Sequence, residues 1–162
     1  MNRLSRVGLA AALAAMSAVA VSQGAGGPPS PEAQAKSAIE ARQAVFKLIA
    51  NQNGPVGGMM RNTREFDAAL VAKNAARIQV LAEMIPELFA SDTREFKATK
   101  TLALDGIWAA QADFKTKADG LAKAAGATAD AAKTGDKAAT MKAAAEIGKA
   151  CGACHDNFRA KP

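Results

Sequence analysis

The chain has 162 residues, 49% of them hydrophobic by count, with six Phe, one Trp and no Tyr, and its 21 basic against 15 acidic residues give a formal charge of +6. That length suits one domain rather than two, and an Ala-rich composition with few aromatics and few β-branched runs points to helices. The charges are interspersed, with no basic stripe lined by aromatics, which excludes a nucleic-acid-binding role.

Arg3 and Arg6 precede Val7 to Val21, an uncharged run rich in Ala, Leu and Val, and Ala18-Val19-Ala20 fits an A-x-A cleavage pattern. Residues 1–25 therefore read as a secretory signal peptide, cut between residues 20 and 27. A membrane anchor is the competing reading, but about 15 apolar residues fall short of the roughly 20 that a bilayer requires. Cleavage removes Arg3 and Arg6 and leaves 19 basic against 15 acidic residues, a charge of +4. The expectation is a periplasmic protein with no membrane attachment once the leader is gone.

Gly24 to Pro29 is a Gly/Pro lead-in to a bundle domain over residues 31–162. Ser30-Pro31-Glu32 has the pattern of a helix start: an N-cap, a proline at the first helical position and an acid near the positive end of the dipole. The first helix is expected to run to about Asn53 and to break or kink at Gly54-Pro55. Asp67 then caps a second helix, with Phe66 placed to staple onto Val71. Leu70, Ile78, Leu81 and Ile85 recur at helical spacing until Pro86. Ser91 to Lys100 is a polar loop. The third helix carries Leu104, Ile107, Trp108, Phe114, Ala118 and Leu121 on one stripe and ends near Gly126. Thr134-Gly135-Asp136 restarts the chain, and the fourth helix runs to about Ala160. Four amphipathic helices without strand-like alternation predict an all-α fold, an antiparallel four-helix bundle.

The last of these helices contains Cys151-Gly152-Ala153-Cys154-His155, the only cysteines and the only histidine of the chain. C-x-x-C-H is the pattern of c-type haem attachment. Two thiols three residues apart on a helix face one side and can each add to a haem vinyl group, and the adjacent His is placed to ligate the iron. Three duller readings compete. A disulfide or thioredoxin-type pair wants a βαβ context, which is missing. A zinc site wants a fourth ligand beyond the two thiols and the one imidazole. A chance match to so short a pattern is the third. The neighbourhood favours haem, because Ile147, Cys151, Cys154, His155 and Phe158 are spaced along one face, with Ala144 and Gly148 leaving room for a flat macrocycle. Arg159, four residues after His155, is either a partner for the imidazole edge or a propionate, or a C-terminal cation favoured by the helix dipole. In the first helix Arg42 interrupts the apolar stripe of Ile39, Phe46 and Ile49. It either pairs with an anion such as a haem propionate or snorkels to solvent.

These residues carry a resemblance. Ala41-Arg42-Gln43, Phe66-Asp67-Ala68-Ala69, Ile107-Trp108 and above all the stretch from Gly148 to Arg159 resemble the class II cytochromes c, and the cytochrome c′ family in particular, across residues 31–162. The resemblance implies a left-handed bundle with haem c attached near the C-terminus, commonly a homodimer packed through the first two helices. It also implies haem contacts from Arg42 and Gln43 and, more weakly, from Thr93. Low-spin members of the family place a Met from the first helix on the iron, whereas cytochromes c′ have an apolar side chain there. Residues 32–53 hold no Met, and Phe46 stands four residues after Arg42. The resulting expectation is five-coordinate, high-spin iron with His155 as its one protein ligand and Phe46 over the vacant face, binding small diatomic gases (NO, CO). The alternative is a low-spin, six-coordinate electron carrier with a periplasmic redox partner. An enzymatic role is a distant third.

Overall fold

A computed structural model describes residues 27–161; the expected signal peptide over residues 1–25 lies outside the described residues. The described chain forms α1 (Pro31–Met60), α2 (Ala68–Glu83), α3 (Ile85–Leu88), α4 (Gly106–Ala109), α5 (Gln111–Lys133) and α6 (Lys137–Phe158). The four long helices, α1, α2, α5 and α6, make an antiparallel four-helix bundle, and the two short ones lie in the crossover between α2 and α5. No strand occurs among the described residues; a single antiparallel bridge joins Ala103 to Arg159.

The two predicted caps, Ser30 and Asp67, are in place, and Asp136 adds a third. Ser30 Oγ accepts the Ala33 N–H at 3.3 Å, Asp67 Oδ1 accepts that of Leu70 at 2.9 Å, and Asp136 Oδ1 that of Ala139 at 3.0 Å. Each satisfies an N–H that the first helical turn leaves without a partner. Phe66 packs against the cluster that contains Val71.

Two boundaries differ from the sequence expectation. α1 does not stop at Gly54-Pro55 but runs through Pro55 to Met60. Proline removes the N–H that the carbonyl four residues earlier would accept and crowds that turn. Beside that turn Asn74 of α2, almost fully buried, donates its Nδ2 to the Gln52 carbonyl at 3.0 Å, one residue after the Asn51 carbonyl that Pro55 cannot serve, and so ties the turn to the neighbouring helix. The expected third helix is two pieces. Ala110, at φ −130° and ψ 47°, separates α4 from α5, and Leu104 stays outside both and exposed. α5 then continues through Gly126 to Lys133. Gly126 is a point of close approach rather than a stop, because a Cβ there would meet the Gln79 amide of α2 at 2.9 Å. The turn comes at Gly135, whose φ of +76° is a left-handed conformation that glycine adopts without strain.

α2 packs broadly on α1 and α5, and α5 on α6, while α1 and α6 meet at few positions. The interior divides in two. One cluster, built from Val56, Met59, Val71, Ala132 and Ala144, fills the end of the bundle near the α1–α2 turn. The other holds Val45, Ile49, Ile78, Phe89, Ile107, Phe114, Ile147 and Phe158, with Phe46, Trp108, Cys151 and Cys154 packed against it.

Removing the Asn74 amide takes away its hydrogen bond to the Gln52 carbonyl, and a lost buried hydrogen bond costs about 1–2 kcal/mol. Asn74→Ala is expected to lower the urea-unfolding stability by that amount; a midpoint equal to that of the parent would show that α1 passes Pro55 unaided.

Candidate haem site

α6 presents its chemistry in its last two turns. Cys151 and Cys154 are free thiols, half-buried, and both lean on the aromatic cluster. Burial pushes both thiols above the usual cysteine range; for Cys154 the ammonium of Lys117 opposes that rise, and Cys151 and Asp113 add to it. Ile147 and Phe158 on the same face are buried, and His155 is exposed at its edge. The expected five-residue face therefore holds for four, because neighbouring positions on a helix point about 100° apart and Cys154 and His155 cannot share one direction. Partial burial of the imidazole, then the positive charge of Arg159, push the His155 pKa down, with Asp156 opposing. Both causes favour the neutral ring, the form that can ligate a metal. Arg159 is exposed and closes α6, its N–H donating to the His155 carbonyl at 3.1 Å.

Across the bundle, Arg42 does not snorkel. It is 4% exposed. Its Nε donates to the Leu88 carbonyl at 2.7 Å, Nη1 to Thr93 Oγ1 at 2.7 Å and Nη2 to the Ser91 carbonyl at 2.6 Å. Cζ lies 4.7 Å from the ring centre of Phe89 and 5.4 Å from that of Trp108. Within the protein, three neutral oxygens hold this guanidinium. Burial pushes its pKa down and Asp92 opposes, but an arginine so placed keeps its proton at any physiological pH. Thr93, the weakest of the predicted positions, is buried as its partner. Gln43 donates to the Lys100 carbonyl at 2.8 Å. Trp108 Nε1 donates to the carbonyls of Phe89 and Ser91, both at 3.1 Å, so Arg42 and Trp108 together take up the carbonyls at the end of α3. Phe46 is half-buried and meets Phe89 edge-on, with ring centres 6.3 Å apart.

A cavity of about 490 Å³ opens beside this assembly and is lined by Gln43, Thr93, Lys97, Lys100, Ala103 and Trp108 among others. Cys151, Cys154 and His155 are not in its lining. It is tied to the end of α6 through the crossover: the Leu104 N–H donates to the Phe158 carbonyl at 3.0 Å and that of Ala160 to the Leu102 carbonyl at 2.8 Å. The structure thus gathers Phe46, Cys151 and Cys154 at one cluster, Arg42, Gln43 and Thr93 at the crossover beside it, and His155 at the rim. Sequence reasoning misses Phe89, which touches Arg42, Phe46, Trp108 and Phe114. Its one signal is an aromatic between a proline-led turn and a polar loop.

The donor set fits covalent haem. Two unpaired thiols stand on one helix face against an aromatic interior, next to an imidazole held towards its ligating form. A zinc site is poorly served, since among the described residues no group of three or more His, Cys, Asp or Glu side chains comes together to hold a metal ion. A helical bundle with this motif on its last helix defines a c-type haem protein. Residues 37–159 match the family described as Cytochrome C′. Cytochrome c′ of Rubrivivax gelatinosus is 39% identical over 124 residues, 76% of this chain and 95% of that one. The solved structure of cytochrome c prime from Shewanella frigidimarina superposes with a TM-score of 0.72 at 35% identity, covering 78% of this chain and 97% of that one. A nitric oxide complex of a leucine-to-isoleucine variant of cytochrome c prime from Alcaligenes xylosoxidans gives 0.69 at 26%, covering 78% and 97%. The chain belongs to the cytochrome c′ family. Its cofactor is haem c with its iron, and the two cysteines near the C-terminus fit the covalent attachment.

Replacing Arg42 by Met leaves the Leu88 carbonyl and Thr93 hydroxyl without their donor, a loss of about 2–4 kcal/mol. Arg42→Lys is expected to recover only part of it, since one ammonium on a flexible stem does not reproduce a planar fork. Chemical denaturation of both variants checks this; a lysine variant as stable as the parent would mean that charge, not the fork, holds the crossover.

Proposed function

We propose that this chain is a periplasmic, five-coordinate, high-spin haem protein that binds small diatomic gases, NO foremost, and exchanges single electrons with a redox partner. In this reading Cys151 and Cys154 hold the haem by thioether bonds and His155 is the one protein ligand to the iron. The iron supplies an open coordination position for NO or CO and a ferric/ferrous couple. The chain's own residues bind, shield and position. Phe46 crowds the open face, the Phe89–Phe114–Phe158 stack keeps water from it, and Arg42, Gln43 and Thr93 fix the crossover beside it.

The observation that carries this reading is where the methionines lie. Met59 and Met141 belong to the far cluster, and Met60 and Met84 are 41% and 42% exposed. None packs with the thiols, so among the described residues no thioether stands ready as a second axial ligand, as a low-spin carrier requires. The nitric oxide complexes of cytochrome c prime from Alcaligenes xylosoxidans support NO as the ligand class. An enzymatic role finds little support: His155 is the only histidine, and Arg42 already donates to the Leu88 and Ser91 carbonyls and the Thr93 hydroxyl. The basic, apolar and small-residue order of the N-terminus supports export, and no described helix is long and apolar enough to cross a membrane. Exposed Leu48, Val80 and Met84, at the first two long helices, support the homodimer expected there.

The absorption spectrum of the reduced protein, before and after CO, tests the coordination. A high-spin ferrous spectrum that changes on adding CO is expected; a split low-spin spectrum indifferent to CO would give the six-coordinate carrier instead. Phe46→Ala is expected to speed CO entry about tenfold, equivalent to about 1.4 kcal/mol of barrier. An unchanged stopped-flow rate would remove Phe46 from the open face. Cys151→Ser combined with Cys154→Ser is expected to abolish haem staining on denaturing gels, and retained stain would place the attachment elsewhere.

A further inference from the structure

α6 ends three residues after His155, and the backbone that follows is paired. Arg159 leaves the helix at φ −125° and ψ 129°, an extended conformation, and residues 158–160 run antiparallel to residues 102–104 of the crossover. Ala103 and Arg159 face each other as the bridge pair. On one side of that pair the Leu104 N–H donates to the Phe158 carbonyl at 3.0 Å, and on the other the Ala160 N–H donates to the Leu102 carbonyl at 2.8 Å. The bridge is anchored at both ends. The Arg159 N–H donates to the His155 carbonyl at 3.1 Å, and Gln43 of α1 donates to the Lys100 carbonyl at 2.8 Å, two residues before Leu102. A short run of hydrogen bonds thus leads from α1 through the crossover to the backbone of His155. The Leu102 and Leu104 side chains are exposed, so what these residues give the bridge comes from their backbone groups.

The last turn of a helix has carbonyls without helical donors and opens more readily than the middle. His155 stands in that turn with its side chain exposed, so packing of the imidazole itself holds the turn little. The buried ring of Phe158 anchors the turn from inside, against Phe114, and the bridge holds its backbone. We infer that the bridge between residues 102–104 and 158–160 is a positioning device for the iron ligand. It restrains the last turn of α6 and so fixes the orientation in which His155 presents its ring. The inference rests on the reading of His155 as the one protein ligand to the iron. It asks nothing of the bridge residues but their N–H and carbonyl groups.

Ala160→Pro removes one donor of the bridge, and Arg159 already has the extended backbone that a following proline requires. Ala160→Ser keeps the N–H and serves as its control. Resonance Raman spectroscopy of the reduced holoprotein reads the iron–histidine stretching band directly, and amide hydrogen exchange reads the turn. Ala160→Pro is expected to broaden the band, because a looser turn samples more orientations of the imidazole. It is also expected to speed exchange of the Arg159 amide about fivefold, the worth of one such hydrogen bond. Ala160→Ser is expected to match the parent in both. Should Ala160→Pro not fold, Leu104→Pro removes the other donor and carries the same expectations. Either readout left at its parent value in the proline variant would overturn the inference and leave the bridge a fastening of the chain alone. A parent protein with no iron–histidine band at all would overturn the coordination reading, and this inference with it.

Discussion

A guanidinium enclosed in an apolar interior must find acceptors for its protons or cost several kcal/mol, and much of this structure is arranged around how Arg42 finds them. The residue sits on the buried stripe of α1 and is itself buried. Its acceptors come from one short stretch, residues 88–93, where α3 ends and its carbonyls have no helical donors left. Two needs are met at once: the helix end wants donors and the guanidinium wants acceptors. The crossover between α2 and α5, long and largely irregular, is thereby fixed to α1 at its start. Trp108 adds its indole N–H to the same carbonyls from the far end of the crossover, and Gln43 binds the Lys100 carbonyl between them. A segment with few apolar contacts of its own is held by hydrogen bonds that originate in the bundle.

The fastening has a consequence for the site. Phe89 is placed by the same turn whose carbonyls Arg42 grips, and Phe89 is the hub of the aromatic packing. It touches Phe46 on α1, Trp108 on α4 and Phe114 on α5, and through Phe114 it reaches Phe158 on α6. Cys151 and Cys154 lean on that packing. A disturbance at Arg42 would therefore travel by contact to the thiols, through residues that all belong to one cluster. The aromatic rings also lie between α1 and α6, which meet directly at few positions.

Much of this was legible in the sequence, and the reasons for the rest are physical. The caps Ser30, Asp67 and Asp136 act locally, through an N–H three residues on, so a short stretch of sequence contains the whole interaction. The C-x-x-C-H motif is local in the same sense. Pro55 is the counterexample. The helix runs on through it, and the turn beside it is tied to α2 by the Asn74 amide, nineteen residues later, a partner that no local rule contains. Arg42 shows the intermediate case. Its place on an apolar stripe announced a buried cation, but its partners lie some fifty residues away, and backbone carbonyls leave no mark in a sequence. The propionate expected there belongs to the haem and not to the chain. Thr93 came from resemblance alone, and its burial against Nη1 supplies a physical reason for attending to it.

The two clusters of the interior differ in the size of their side chains, and that difference helps explain where a large flat cofactor belongs. At the far end, Ala132 and Ala144 accompany Val56, Val71 and Met59, and one turn towards the middle Gly126 lets α5 close on α2 until a single added carbon would strike Gln79. That half is narrow and leaves no room for anything but its own side chains. At the other end five of the seven aromatic residues gather, Phe46, Phe89, Trp108, Phe114 and Phe158, and α1 and α6 stand apart. Rings meet one another edge-on or tilted at 4.8–6.3 Å here, geometry that a flat macrocycle can join without new chemistry. The half-buried thiols stand at this wide end, and had they been placed two turns earlier on α6, beside Ala144, the same motif would have faced a core too tight to admit the group it attaches.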